Sequence, residues 1–204
     1  MRQRIGILGG SFNPIHWGHL ILAEQARQIL NLDKIVFVPA NIPVHKKAIY
    51  LAPPKDRYQM VCLAIRPNPH FSVSDLEIKR KGPSYSIDTL KQLKQILPGA
   101  RLYFIVGSDF LGQYRSWKRI NELKRICRII VAKRPGYRLR ALPKAMQSIT
   151  ISELDISSSQ VRQRIKSGHS VRYLVPEAVL KYILKKGLYR AKIKQVQSFG
   201  ANRR

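Results

Sequence analysis

Acidic residues are scarce in this chain. Eleven Asp and Glu stand against 38 Lys and Arg, giving a formal net charge of +27 and a pI near 10.8. A field of that sign draws polyanions of every kind, whether nucleotides, nucleic acid or anionic lipid, and does not choose among them. Cysteine is scarcer still: only Cys62 and Cys127, far apart and outside any CxxC pair. That argues against a disulfide framework and against a cysteine zinc site. Long apolar runs are also missing. No stretch reaches the ~18 residues of a spanning helix, and the apolar segment after MRQR is soon broken by Gly9, Gly10, Asn13 and Pro14, unlike a signal peptide. The expectation is a soluble cytoplasmic protein with reduced thiols and no membrane partner. Oligomeric state is left open, a homo-oligomer included.

What is present reads as alternating strands and helices. The chain has 204 residues, 45% of them hydrophobic, enough to bury a real core. IGIL (Ile5–Leu8), KIVFV (Lys34–Val38), FSVSDLEI (Phe71–Ile78), LYFIV (Leu102–Val106) and RIIVA (Arg128–Ala132) read as strands. Between them, Leu22, Ala26, Ile29 and Leu30 keep helical spacing up to a stop at Asn31. Asp56–Ile65 reads as a second helix, and Ile87, Leu90, Leu93 and Leu97 mark a third, closed by Pro98-Gly99. From about Ser157 the chain reads as helical. Pro176 suits a first turn, and Val179, Leu180, Ile183 and Leu184 form an apolar stripe that stops at Gly187. The pattern predicts an α/β protein: a Rossmann-like, doubly wound parallel sheet with a C-terminal helical segment. Residues 1–189 form the expected domain, and 190–204 a basic, mobile tail.

In such sheets ligands bind beyond the carboxyl ends of the strands. GGSFNPIHWGHL (Gly9–Leu20) starts at one strand end, and Gly107-Ser108-Asp109 follows another. An ordinary turn explains the glycines and Asn13-Pro14, but not His16 and His19 together. A metal site needs further ligands, and neither histidine sits in an HExxH-like setting. GGSFNP is not GxGxxG, and no GxxxxGK[ST] loop exists in the chain. A phosphate site uses more of the stretch. Gly9 and Gly10 let the backbone approach a ligand, and the following helix offers free N–H groups to an anion. His19 in its first turn opposes the helix dipole, so stability alone does not favour it there.

ISSSQVRQRI (Ile156–Ile165) is a second device of this kind. Ser157 and Gln160 have capping-box spacing, and Arg162 again lies near a helix start where the dipole disfavours a cation. Helix N–H groups, serine hydroxyls and an arginine together make an anion site.

These two stretches resemble the signatures of the HxGH nucleotidyltransferase family, G-G-[ST]-F-[DN]-P-x-H-x-G-H and I-S-S-T-x-x-R. The likeness narrows to members acting on a pyridine mononucleotide. NIPVHK (Asn41–Lys46), KGPSYSIDTL (Lys81–Leu90), FIVGSDFLGQYRSW (Phe104–Trp117) and VPEAVLKYILKKGLY are all similar to their segments, in order along nearly the whole chain. The resemblance implies adenylyl transfer from ATP to nicotinate mononucleotide, by in-line attack on the α-phosphorus without a covalent enzyme intermediate. It implies an ATP site of Gly9, Gly10, Ser11, Phe12, His16, His19, Lys46, Asp109, Ile156, Ser158 and Arg162. His16, His19 and Arg162 are its catalytic members, and Mg²⁺ is carried on the phosphates rather than by protein ligands. It also implies contacts to the nicotinate nucleotide from Lys46, Tyr85, Ser86 and Trp117, with Trp117 stacked on the pyridine. Two departures from the family pattern stand out: serine replaces threonine at Ser86 and Ser159, and the Pro43-Val44-His45-Lys46 loop lacks one proline. The basic excess is larger than two nucleotide substrates require. Non-specific polyanion binding is expected from it, although no nucleic-acid module is recognisable.

Overall fold

The computed structural model describes residues 2–44, 51–112, 116–133, 142–143, 146–152 and 154–190, without the side chains of 109 and 110. Lys46 and the tail beyond Arg190 lie outside the described residues. The first half of the chain forms β1 (Arg4–Gly10), α1 (Trp17–Ile29), β2 (Lys34–Pro39), β3 (Ile42–Pro43), α2 (Pro54–Ile65), β4 (Phe71–Val73) and α3 (Leu76–Lys79). There follow β5 (Pro83–Ser84), α4 (Ser86–Ile96), β6 (Arg101–Gly107), a 3-10 turn (Ser108–Gly112) and α5 (Ile120–Ile126). The second half ends with β7 (Arg128–Lys133), β8 (Met146–Thr150), α6 (Ser158–Lys166) and α7 (Glu177–Lys186).

Six strands form one sheet in the order β4-β2-β1-β6-β7-β8, every neighbouring pair parallel. Chain order runs outward from β1 in one direction and then outward from β6 in the other. The reversal between β1 and β6 opens a crevice at their carboxyl ends. Side-chain alternation builds two cores. Leu8, Ile35, Phe37, Ile105 and Ile130 face helices α1, α2, α6 and α7. Ile7, Val36, Phe104, Ile129 and Val131 face α4 and α5. Gly6 lies on the first face, where a Cβ would collide with Ile35 Cδ1 and come within 2.8 Å of Leu32 Cδ1. The helix stops read from the sequence are left-handed caps: Asn31 has φ 47° and Gly187 φ 61°. The serine and glutamine of the second phosphate motif cap α6 reciprocally, Gln160 N–H to Ser157 Oγ at 3.1 Å and Ser157 N–H to Gln160 Oε1 at 2.8 Å.

One predicted strand is shorter than its sequence pattern. Phe71–Ile78 pairs only as far as Val73. At Ser74-Asp75 the backbone leaves the ladder: Leu76 N–H donates to Ser74 Oγ (3.4 Å) and Lys79 N–H to the Asp75 carbonyl (2.9 Å), starting α3. Short polar side chains that bond nearby backbone compete with a strand in just this way. Cys127 is buried, and burial pushes its thiol up to about 12, so it serves as a packing residue.

Helix α1 is tied to the turn after α2 through Glu24. Its carboxylate accepts from Arg27 (2.8 Å), Gln28 (2.8 Å) and Asn68 (3.1 Å). The Arg27 guanidinium, with help from Asn68 and Gln28 and against burial, lowers the carboxyl from its ordinary 4.5 to about 2. A depressed carboxyl stabilises the fold above its unfolded pKa and loses that contribution as pH falls through the folded one. Acid unfolding therefore draws on Glu24 between about pH 5 and pH 2. Glu24→Gln should cost about 1 kcal/mol at neutral pH, solvent screening included, and should flatten this limb of a stability-versus-pH titration.

Candidate active site

Gly9 and Gly10 end β1 beside Val38 and Pro39 of β2, at the open crevice. The chain then turns through Phe12, in a left-handed conformation (φ 45°), and through a cis Asn13-Pro14 bond into α1. His16 is the N-cap of that helix and His19 its third residue. Their rings lie 3.8 Å apart, centre to centre, tilted by 35°. The His16 backbone N–H donates to His19 Nδ1 at 3.3 Å. An Nδ1 that accepts fixes the neutral tautomer with its proton on Nε2, which leaves Nε2–H as a donor. Phe12 supports this ring edge-on from below, centroids 5.1 Å apart, and is itself 1% exposed. Thus Phe12 belongs to the core beneath the histidine, and its backbone is the part that borders the crevice.

Gly18 is required by His16. A Cβ there would lie 3.1 Å from both Cε1 and Nδ1 of the His16 ring, and 3.7 Å from the Ile156 carbonyl. Gly18→Ala should keep the fold while displacing that ring by a few tenths of an ångström. Small misplacements of a reacting group are costly, so turnover should fall roughly tenfold, measurable as kcat with unchanged thermal unfolding.

The Ile156–Ile165 stretch docks onto Gly9–Leu20. Ser158 Oγ donates to the Pro14 carbonyl (2.9 Å), and Arg162 donates to the Asn13 carbonyl (2.8 Å) and to Ser159 Oγ (3.1 Å). Ile156 brings its carbonyl against Gly18 and packs its side chain on the core. Two segments about 140 residues apart in sequence, Gly9–Leu20 and Ile156–Ile165, thus share one crevice. Among the described residues no carboxylate pairs with Arg162; it donates to neutral acceptors.

Beneath the crevice lies a residue that no motif singles out. Arg57 on α2 is 0% exposed and donates to three backbone carbonyls: Ala52 (2.9 Å), Ser11 (2.8 Å) and Asn41 (3.0 Å). Burial pushes its guanidinium pKa down. The arginine joins the loop after β1, the loop after β2 and the entry to α2. From Asn41 the connection continues: its N–H donates to Ser84 Oγ at 2.9 Å, where β3 and β5 pair. That pairing brings the Asn41–Val44 stretch against the Pro83–Ser86 stretch. Glu77 lies buried below, with Thr89 Oγ1 donating to it at 2.6 Å; burial raises its carboxyl, while Thr89, Ser84 and two arginines oppose the rise.

Tyr85 caps α4 and Ser86 is its first residue. Trp117 is half-buried and packs against Phe104, centroids 5.8 Å apart. Phe104 is also the side chain nearest a Cβ built at Gly9, at 3.7 Å, so it bridges the glycine turn and the tryptophan. Next to Trp117, Lys118 places its Nζ 4.0 Å over the Tyr85 ring and 3.8 Å from Asp88. Lys118 is a second residue that sequence reasoning missed; surface lysines are too common to stand out. Asp109 lies in the 3-10 turn after β6, at the same sheet edge, and its side chain is outside what is described, as is Lys46.

Among the described residues no group of three or more His, Cys, Asp or Glu is arranged to hold a metal. The side chains that meet at the crevice are imidazoles, hydroxyls and a guanidinium, a donor set for anionic oxygen rather than for a hard cation. No helix among the described residues is long and apolar enough to cross a membrane.

A parallel sheet with a histidine pair at its switch point, facing an arginine helix, has the architecture of a nucleotidyltransferase. The cytidylyltransferase-like family pattern matches residues 7–164, from β1 into α6. The protein named "Probable nicotinate-nucleotide adenylyltransferase" in Thermus thermophilus is 45% identical over 188 residues, 92% of this chain and 100% of its own. One of the same name in Saccharopolyspora erythraea is 44% identical over 192 residues, 93% of this chain and 91% of its own. The chain belongs to the nicotinate-nucleotide adenylyltransferase family. Its fold matches that of Plasmodium falciparum nicotinic acid mononucleotide adenylyltransferase, solved in complex with NaAD, with a TM-score of 0.77 at 24% identity over 92% of this chain and 98% of that one.

Proposed function

We propose that the protein transfers the adenylyl group of ATP to nicotinate mononucleotide, forming deamido-NAD and pyrophosphate. The observation that carries this reading is the meeting of His16 and His19 with Ser158 and Arg162 at the β1–β6 crevice. In the reaction, a phosphate oxygen of the mononucleotide attacks the α-phosphorus of ATP. The new O–P bond forms as the bond from the α-phosphorus to the bridging oxygen breaks, and pyrophosphate leaves with those electrons. Such chemistry needs alignment and charge stabilisation rather than a protein nucleophile.

Each residue has a role by its chemistry. The Nε2–H of His19 donates to the α-phosphate oxygens that gain charge in the transition state. His16 caps the helix and holds the neighbouring ring in place. Ser158 and the N–H groups at the start of α6 take the β- and γ-phosphates. Arg162 spends part of its fork on the Asn13 carbonyl, and its remaining N–H groups serve the departing pyrophosphate. Gly9, Gly10, Ser11 and Phe12 give backbone contact, Lys46 adds charge to the phosphates, and Asp109 takes the ribose. Trp117 stacks on the pyridine ring. The carboxylate of that ring meets the N–H groups opening α4 at Ser86, beside Tyr85 and Lys118. A helix N-terminus and a lysine favour a carboxylate over an amide, so nicotinate mononucleotide should be preferred to its nicotinamide counterpart.

The class uses ATP with a divalent metal; for this chain the ion proposed is Mg²⁺, which would arrive with the ATP phosphates and, when bound, would neutralise part of their charge. Pyrophosphate release should require both ATP and nicotinate mononucleotide, and should run slower with nicotinamide mononucleotide at equal concentration. A chelator should abolish turnover, and added Mg²⁺ restore it, with no change in the melting temperature of the unliganded protein. Equal rates on the two mononucleotides would reject the α4–Lys118 account of specificity.

A further inference from the structure

A cavity of about 540 Å³ opens at the opposite edge of the sheet from the reactive crevice, where β6 and β7 begin. Six of the residues around it are cationic: Arg2, Lys94, Arg101, Lys124, Arg125 and Arg128. The rest are Gly99, Ala100, Leu102, Ile126 and Cys127; the lining holds no carboxylate and no aromatic ring. Local structure accounts for part of this. Lys94 donates to the Ala100 carbonyl at 2.7 Å, and Lys124 and Arg125 lie in the last turn of α5, where the helix dipole favours cations. Arg128 has its guanidinium 6.0 Å from the centre of the Tyr103 ring, but nothing of the kind accounts for Arg2 and Arg101. All three are exposed and two of them open strands. On α5, Glu122 is already engaged by Lys91 (2.6 Å) and Arg119 (2.5 Å).

We propose that this groove is a second anion site, separate from the adenylyl-transfer site, which takes the phosphate backbone of a nucleic acid by charge and without reading its sequence. The lining decides the ligand class. Without an aromatic ring there is no platform for a base to stack on. Arginine and lysine can reach guanine edges, but cations spread around an open groove meet the phosphate oxygens first, and phosphates are the main contact. The cavity is open, and the excess of 38 Lys and Arg over 11 Asp and Glu reaches far beyond it. A chain of phosphates that enters and leaves the groove makes use of that wider field, as a compact anion cannot.

The test is fluorescence anisotropy with short labelled DNA duplexes of two unrelated sequences, on the full chain. A groove variant, Arg2→Glu, Arg101→Glu and Arg125→Glu, is compared with a control of equal net charge, Arg66→Glu, Arg172→Glu and Lys185→Glu, whose residues are exposed and lie outside the cavity. The wild type should bind both duplexes alike. Its affinity should fall up to roughly 10³-fold between ~50 and ~200 mM salt, the loss expected of about six phosphate contacts. The groove variant should lose at least tenfold more affinity than the control and show a shallower salt slope. Its rate of adenylyl transfer should be unchanged, which also reports that it is folded. The single change Arg101→Gln should give a smaller loss of the same kind. Equal losses in groove variant and control would overturn the proposal in favour of diffuse attraction. Binding of inorganic tripolyphosphate with none of duplex would overturn the nucleic-acid assignment, and strong preference for one duplex sequence would overturn the charge-only mode.

Discussion

His19→Ala should lower the rate of adenylyl transfer by roughly 10²–10³-fold while leaving thermal unfolding nearly unchanged. The size follows from the role: losing one preorganised donor to a developing oxyanion costs about that much. The direction of the stability effect follows from position. A histidine in the first turn of α1 gains nothing from the helix dipole, and the bond lost, from the His16 N–H to Nδ1 at 3.3 Å, is worth about 1 kcal/mol. His19→Asn is the informative companion, since an amide can donate to the same phosphate oxygen and should recover part of the rate. Turnover near the wild-type value in the alanine variant would remove His19 from the mechanism.

The second large effect is on stability. Arg57→Ala should lower the unfolding free energy by about 3 kcal/mol or more, because it leaves the carbonyls of Ala52, Ser11 and Asn41 without their donor inside the protein. A urea titration reads this as a shift in midpoint at nearly constant slope. Arg57→Lys keeps the charge but has no planar fork to span three acceptors, and should recover only part of the loss. Activity should fall in both variants, since Arg57 ties the Ser11 turn to the loop that leads from Asn41 toward Lys46. An unchanged midpoint in Arg57→Ala would show that the three loops are held by something else.

Arg57 also marks the boundary of what the sequence makes legible. Strands β1, β2, β6 and β7 are nearly continuous apolar runs, because parallel strands covered on both faces must be apolar on both. Their presence needs no other signal, while their register comes from the packed structure. The Ser157–Gln160 cap and the Asn31 and Gly187 stops are local chemistry and appear where the pattern puts them. What the sequence hides depends on partners distant along the chain. An arginine in PKDRYQM reads as a solvated helix residue until three loops close over it. Glu77 reads as part of a strand until Ser74 and Asp75 divert the backbone into α3. The edge strand β8, MQSIT, is too polar to read as a buried strand, and its place is set by pairing with β7.

The site divides in the same way. The strand-end rule sets Gly9–Leu20 and Gly107-Ser108-Asp109 on one edge, while Ile156–Ile165 is joined to them by the family resemblance; the bonds from Ser158 to Pro14 and from Arg162 to Asn13 supply the contact. The support beneath each functional group did not follow from the rule. Phe12 under His19, Gly18 making room for His16, and Phe104 between Gly9 and Trp117 are packing relations, and residue types alone do not encode them.

The central claim is that one crevice aligns two substrates for direct transfer. A rapid-quench single turnover, with ATP labelled at the α-phosphorus and excess nicotinate mononucleotide, tests it most directly. Label should pass from ATP into deamido-NAD in one phase, with pyrophosphate unlabelled and none of the label on protein at any time. Label appearing first on the protein, or remaining in an adenine nucleotide while pyrophosphate is released, would contradict it.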